Sequence, residues 1–263
     1  MNALKVLSLF SGIGGLELGL ERAGMTVAGQ VEIDPYCQQV LETHWPEVPR
    51  HDDVLTAPEW WQSQARPRID TVAGRFPCQP FSIAGEQLGI DDPRWMWPAF
   101  ADVVRVVRPR YVIVENVAAL VRDRDAFSWV LSDLHQLGFD AEWTVVGACA
   151  VGAPHRRRRL FLVAYPRGTR LPGLHRTRRQ IDLQPAQRDL RRHWQTEPDV
   201  DRVAYGVPRR LVVDPLRALG NAVVPQLAEH IGRLITGHRD EASATTPRLV
   251  TAPTHHHRER SRP

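Results

Sequence analysis

Short apolar runs alternate with amphipathic stretches up to Tyr165, regularly enough to assign elements. Leu4 to Phe10 is an apolar run of strand length, followed at once by Ser11-Gly12-Ile13-Gly14-Gly15. Apolar residues then recur at helical spacing, with Leu16, Leu20 and Ala23 on one face and Gly24 as the stop. Thr26 to Ile33 predicts a second strand with Glu32 near its end, and Asp34-Pro35 supplies an N-cap and first-turn proline for a helix to about His44. Asp52-Asp53-Val54 marks the end of a third strand. Ala57 to Ala65 predicts a short helix, and Ile69 to Ala73 a buried fourth strand. A helix from about Trp95 to Val107 closes at Pro109. Tyr111 to Val114 predicts a fifth strand that delivers Glu115-Asn116-Val117 to the sheet edge. Asp125 is placed to cap a helix that stops at Gly138, and strand-like runs follow at Trp143 to Ala148 and Arg159 to Tyr165. This β-α alternation predicts an α/β fold with a doubly wound, mostly parallel sheet.

From Pro166 to Asp199 the pattern fails, with prolines and glycines among many arginines. It returns over Leu216 to Gly237, where Pro225 opens a helix bearing Leu227, Ile231, Leu234 and Ile235. The expected divisions are therefore 1–165, an irregular region 166–204, a returning segment 205–237 and a polar, disordered tail 238–263. The 263 residues, 43% hydrophobic, can bury a full core. No apolar run approaches the roughly 20 residues of a membrane span, and the amino end lacks the marks of a signal peptide. Cys37, Cys78 and Cys149 fit neither a disulfide framework nor a zinc site, so an intracellular, reduced protein that holds no metal is expected. Net charge is only +4, but Lys5 is the sole lysine and arginines crowd into residues 156–210, a surface suited to phosphates.

The chemistry concentrates at predicted strand ends, where open α/β sheets hold ligands. Strand, glycine turn and helix open a nucleotide-binding unit, although Gly12, Gly14 and Gly15 lack the third glycine, at position 17, of the dinucleotide fingerprint. Glu32 stands where an acidic residue takes ribose hydroxyls, or is a solvated strand-end charge. Cys78 lies between Pro77 and Gln79-Pro80, and two prolines stiffen its loop. That suits an aimed nucleophile and equally a small apolar residue in a rigid turn.

Five segments in order resemble the C5-cytosine DNA methyltransferase family: Phe10-Ser11-Gly12-Ile13-Gly14-Gly15, Phe76-Pro77-Cys78-Gln79-Pro80-Phe81-Ser82, Glu115-Asn116-Val117, Arg157-Arg158-Arg159 and Gly220-Asn221-Ala222-Val223-Val224-Pro225. The resemblance implies a Rossmann-like, S-adenosylmethionine-dependent methyltransferase acting on C5 of a flipped cytosine in double-stranded DNA. Cys78 would add to C6, Glu115 would hold or protonate N3, Arg159 would contact O2, and Arg157 would support the catalytic loop or a nearby phosphate. For the donor it implies Phe10, Ser11, Gly12, Gly14 and Gly15 at the glycine turn and Glu32 on the ribose. Ile33 would pack on the adenine and Asp53, with Val54, would take its amino group, while Pro77, Asn221 and Ala222 complete the pocket. Gly85 to Arg94 would be a mobile loop that closes over the base. His155 stands where the family pattern has glutamine.

The resemblance also implies a cytoplasmic setting in a bacterium or a phage-infected host, a monomer, and a place for a cognate restriction endonuclease as partner. The family's target-recognition domain is here reduced to 166–204, which predicts a short or degenerate recognition sequence and strong salt dependence. Two readings compete: transfer-RNA cytosine-5 methylation by the same chemistry, and a catalytically silent DNA-binding protein. A dinucleotide oxidoreductase fits less well, because it leaves Cys78 and Glu115 without a purpose.

Overall fold

The computed structural model of the chain describes residues 3–77, 90, 92, 94–153, 155, 157–169 and 209–244; in the last stretch the described side chains are those of 214–237 except 216. One seven-stranded sheet organises it, in the order β3-β2-β1-β4-β5-β7-β6. The strands are β1 (Lys5–Leu9), β2 (Thr26–Val31), β3 (Arg50–His51), β4 (Thr71–Gly74), β5 (Tyr111–Val117), β6 (Phe139–Gly147) and β7 (Arg158–Pro166). Pairs among β1 to β5 are parallel, and β7 runs antiparallel to β5 and β6. The helices are α1 (Gly15–Arg22), α2 (Pro35–His44), α3 (Ala57–Gln62), α4 (Trp97–Val107), α5 (Arg124–Gln136), α6 (Arg209–Asn221) and α7 (Pro225–Ala244). The doubly wound, mostly parallel sheet expected from the alternation is the fold observed.

Successive strand residues face opposite sides, so the continuous apolar runs feed two cores. Leu7, Val72, Val112, Val114 and Leu162 join Trp61, Trp97, Phe100, Phe127 and Leu134 on one face. Val6, Ala73, Ile113, Phe161 and Val163 join Leu16, Leu20, Leu227, Ile231 and Ile235 on the other. Each fully buried Leu or Ile contributes roughly 1.5–3 kcal/mol relative to exposure. The second core depends on close approach of α1 and α7. A Cβ on Gly19 would collide with the Pro225 carbonyl oxygen and with Ala228, and one on Gly232 would lie 2.6 Å from the Ala23 Cβ.

Several boundaries differ from the expected ones, each for a local reason. β5 runs on through Glu115, Asn116 and Val117, because these pair with Phe161, Leu160 and Arg159 of β7. The cap of α5 is Asp123, whose carboxylate accepts from the Ala126 N–H at 3.1 Å, while Asp125 sits in the first turn. There a negative charge still favours the helix dipole. α7 continues to Ala244, past the expected start of the tail at 238, since Arg239, Glu241, Ala242 and Ala244 are sound helix formers. The rest of that tail, and residues 170–208 of the region expected to recognise sequence, lie outside the described residues. No helix among the described residues is long and apolar enough to cross a membrane.

Candidate active site

The carboxyl ends of β1, β2, β4 and β5 form one edge, and the predicted residues gather there in two groups. At the end of β1 the backbone turns sharply: Phe10, Gly12 and Gly14 have φ of +53°, +59° and +84°. Glycine takes such angles freely, whereas Phe10 is strained there. The Ser11 N–H donates to the Val31 carbonyl (3.1 Å), tying the turn to β2. Just past β2, Glu32 is buried, and its two oxygens accept from the Gly12 N–H (2.6 Å) and the Asp34 N–H (2.8 Å). A carboxylate has about four acceptor sites, so this grip orients Glu32 and leaves acceptor capacity for a ligand diol. Beside it Ile33 is 71% exposed and Leu55 61%, both apolar at the mouth of the site. Asp53 accepts from the Leu55 N–H at 2.9 Å, and Val54 is buried beneath.

The segment after α6 closes this group. A Cβ on Gly15 would collide with the Val223 carbonyl, so the glycine turn and the Gly220–Val224 segment touch through backbone. Asn221 and Ala222 are half-buried there. Arg157, just before β7, donates from one terminal nitrogen to the carbonyls of Gly220 (2.8 Å) and Ala222 (2.7 Å), bracketing Asn221. Arg217 of α6 pairs with Asp34, the N-cap of α2. Here Arg157 holds the returning segment.

The second group centres on Glu115, which is 1% exposed. Arg159 Nε lies 3.1 Å from Oε1 and Arg75 Nε lies 3.8 Å from Oε2, although neither contact has hydrogen-bond alignment. Burial pushes the Glu115 carboxyl above its ordinary range, against the opposing pull of Arg75, Arg159 and Arg157. Next to it, the Asn116 side-chain amide donates to the Phe76 carbonyl (3.1 Å) and its oxygen accepts from the Val117 N–H (2.8 Å). Phe76 is fully buried, edge-on to Trp95, Trp97 and Phe100 with centroids 5.4, 5.8 and 6.3 Å away. The chain entering Pro77 is thus anchored by an aromatic cluster and by Asn116.

Cys78 and the residues through Gly89, with Asp91 and Pro93, lie outside the described residues. The far end of the expected closing loop is nevertheless fixed. Asp92 is 2% exposed, and its carboxylate accepts from the Arg94 side chain at 2.8 and 2.6 Å. Of the other thiols, burial, with Glu32 and Asp34 nearby, pushes Cys37 up to about 12, which makes it inert. Sequence reasoning did not single out Arg75, Asn116 or Glu17, a carboxyl wholly buried behind the glycine turn. Arg75 directly follows the buried run of β4, where a charge is itself a signal, whereas the neutral Asn116 lies within the Glu115-Asn116-Val117 segment and carries no such mark.

A family model for C-5 cytosine-specific DNA methylase matches residues 4–203. Among curated proteins, the chain is 37% identical over 168 residues to the Type II methyltransferase M2.BsuMI of Bacillus subtilis (61% of this chain, 42% of that protein). It is 35% identical over 164 residues to M.NgoBI of Neisseria gonorrhoeae (61% and 50%), so the chain spans half or less of these relatives' own length. A crystal structure of an E. coli prophage protein assigned as a DNA modification methyltransferase superposes with a TM-score of 0.53 at 28% identity, over 62% of this chain and 47% of that one. The glycine turn, the Glu115 pocket and the family match across most of the described sheet agree, and the chain belongs to the C-5 cytosine-specific DNA methylase family.

Proposed function

We propose that the protein is a DNA (cytosine-5-)-methyltransferase that transfers a methyl group from S-adenosylmethionine to C5 of a flipped cytosine in double-stranded DNA. The observation that carries this reading is Glu115, buried between Arg159 and Arg75 beside the strand that leads into Pro77-Cys78. Cytosine C5 is a poor nucleophile until C6 is attacked. A carboxyl whose hold on its proton is strengthened by burial can donate that proton to N3 and make C6 electrophilic.

In this mechanism the Cys78 thiolate forms a bond to C6 while Glu115 passes its proton to N3, and C5 becomes an enamine carbon. S-adenosylmethionine, when bound, supplies an electrophilic sulfonium methyl group. Once C5 carries the methyl group, its proton passes to solvent water, the electron pair left behind forms the C5=C6 double bond as the S–C6 bond breaks and returns the thiolate, and Glu115 recovers its proton from N3. Arg159 would hold cytosine O2. Such contacts on both ring faces require the base to leave the stack.

The residues present fit the donor. Glu32 has acceptors to spare for a ribose, exposed Ile33 offers an apolar face for adenine, and Asp53 with Val54 edges the same mouth. Phe10, Ser11, Gly12, Gly14 and Gly15 would carry its amino-acid end, with Pro77, Asn221 and Ala222 across the pocket. Restriction-modification in a bacterial or phage-infected cytoplasm is the setting we favour, because the relatives are named Type II methyltransferases. With so short a region at 166–204, a short or degenerate target follows.

The deciding experiment offers 5-fluorocytosine duplex DNA and the methyl donor to the purified protein. A denaturation-resistant complex that Cys78→Ser abolishes is expected. Its absence, or methyl transfer to transfer RNA with none to DNA, would overturn the assignment. Bisulfite mapping in a host without cytosine methylation then reads the target, and a long fixed sequence would sink the inference from the short region.

A further inference from the structure

Glu115 has a second arginine that the reaction as described leaves without a task. Arg75 is the first residue beyond β4. The β4–β5 register pairs Gly74 with Val114, which sets Arg75 next to Glu115 across the two strands. Its backbone is held from the β1 side, the Arg75 N–H pointing at the Leu9 carbonyl (3.4 Å). Its guanidinium, in a side chain only 16% exposed, approaches Oε2, whereas Arg159 approaches Oε1. One carboxyl therefore has a cation on each oxygen, delivered by strands on opposite sides of β5.

We propose that Arg75 is a positioning residue for the target-side chemistry, whose guanidinium orients the Glu115 carboxyl and holds open its ionised state so that the proton can leave for the base. This rests on the function proposed above. Two cations are needed because their duties differ during turnover. When a cytosine enters and Arg159 turns part of its hydrogen bonding to O2, the carboxylate left by proton transfer would have one shared partner in a buried site. An ion in such surroundings is costly unless paired. Arg75 approaches the other oxygen from the other flanking strand, so it can stay beside the carboxyl while Arg159 turns to the base. Among the described residues, the charged groups facing Glu115 are Arg75 just after β4, Arg159 from β7 and, with a smaller influence, Arg157, all cationic and all opposing the effect of burial.

The test compares wild type, Arg75→Met, which keeps length without charge, and Arg75→Lys, which keeps charge without the fork. The carboxyl carbon of Glu115 is followed by carbon-13 NMR against pH in each full-length protein and assigned by Glu115→Gln. We expect the Glu115 titration in Arg75→Met to move to higher pH than in wild type, with Arg75→Lys between them. In methyl transfer, kcat of Arg75→Met should fall roughly ten- to a hundredfold, short of the loss on removing the acid itself, with KM for DNA unchanged. Restoration by Arg75→Lys shows that the charge, and not the local fold, is responsible. An unmoved Glu115 titration overturns the proposal, and so does a raised KM for DNA at constant kcat, the mark of a phosphate contact. If wild type transfers no methyl group to cytosine, the proposed function fails, while the titration still decides what Arg75 does to Glu115.

Discussion

The glycine turn after β1 and the end of β5 each have a glutamate removed from solvent, and the two are handled differently. Glu17, in the first turn of α1, is fully buried behind the glycine turn, and Glu115 is buried to the same degree at the end of β5. Burial pushes both carboxyls above their ordinary range. Around Glu115 the opposing influences are three arginines. Around Glu17 they are the hydroxyls of Ser8 and Ser11, which are not aligned for hydrogen bonds, and Glu32 pushes further the same way. Both carboxyls are pushed the same way by burial, but only Glu115 has cations opposing it, which is what the proton transfer proposed above requires. Burial alone does not make an acid functional; an adjacent cation that lets the charged form exist does.

Exchanging each acid for its amide tests that contrast most directly. Glu115→Gln should lower kcat by about 10²- to 10⁴-fold with donor affinity retained, while Glu17→Gln should stay within a few-fold of wild type. Equal losses in steady-state kinetics would dissolve the distinction. Next in size is the link between the two sides. Arg157→Met removes two charged hydrogen bonds to the carbonyls flanking Asn221, each contributing about 1.5–3 kcal/mol. Calorimetric affinity for the donor should fall about ten- to a hundredfold. A donor affinity unchanged by Arg157→Met would mean that the returning segment holds its place without it.

The smallest effect is the most diagnostic of Glu17. A carboxyl whose folded-state affinity for the proton is raised stabilises the fold fully below about pH 4.5, the unfolded value. That contribution is lost as pH rises through the folded value. A glutamine has no such loss. Glu17→Gln should therefore raise the thermal midpoint relative to wild type more at pH 8 than at pH 5, by about 2–4 °C for each kcal/mol gained. A difference that does not grow with pH would show that Glu17 is ionised in the native protein.

What could be read from the chain alone follows the range of the interactions involved. The Asp34-Pro35 start of α2 and its end at His44 match expectation, because a cap and a first-turn proline are local. Asp123 and Asp125 are equally good caps on paper. The backbone decides, since Asp123 is the residue in extended geometry (φ −77°, ψ 97°). Glu115 stood out as the polar end of an apolar strand. That it would be a paired strand residue depended on β7, more than forty positions later. The family resemblance gives Arg157 support of the catalytic loop or a nearby phosphate, whereas its bonds to Gly220 and Ala222 span 63 and 65 residues, beyond any local pattern. The charge of Arg75 after β4 is visible locally, but its partner Glu115 lies 40 positions away (115 − 75).

The contact between α1 and α7 also sets a timetable for synthesis. Gly19 and Gly232 serve the same packed seam but are 213 positions apart (232 − 19). At about 5–20 residues per second, a ribosome needs roughly 10–40 s to deliver the second after the first. During that interval all seven strands can emerge and pair while Leu16, Leu20, Ile113 and Phe161 lack the helix that covers them. The nascent chain thus presents an apolar sheet face to solvent until α7 docks, and the glycine turn at Gly15 gains its Val223 neighbour only with that last segment.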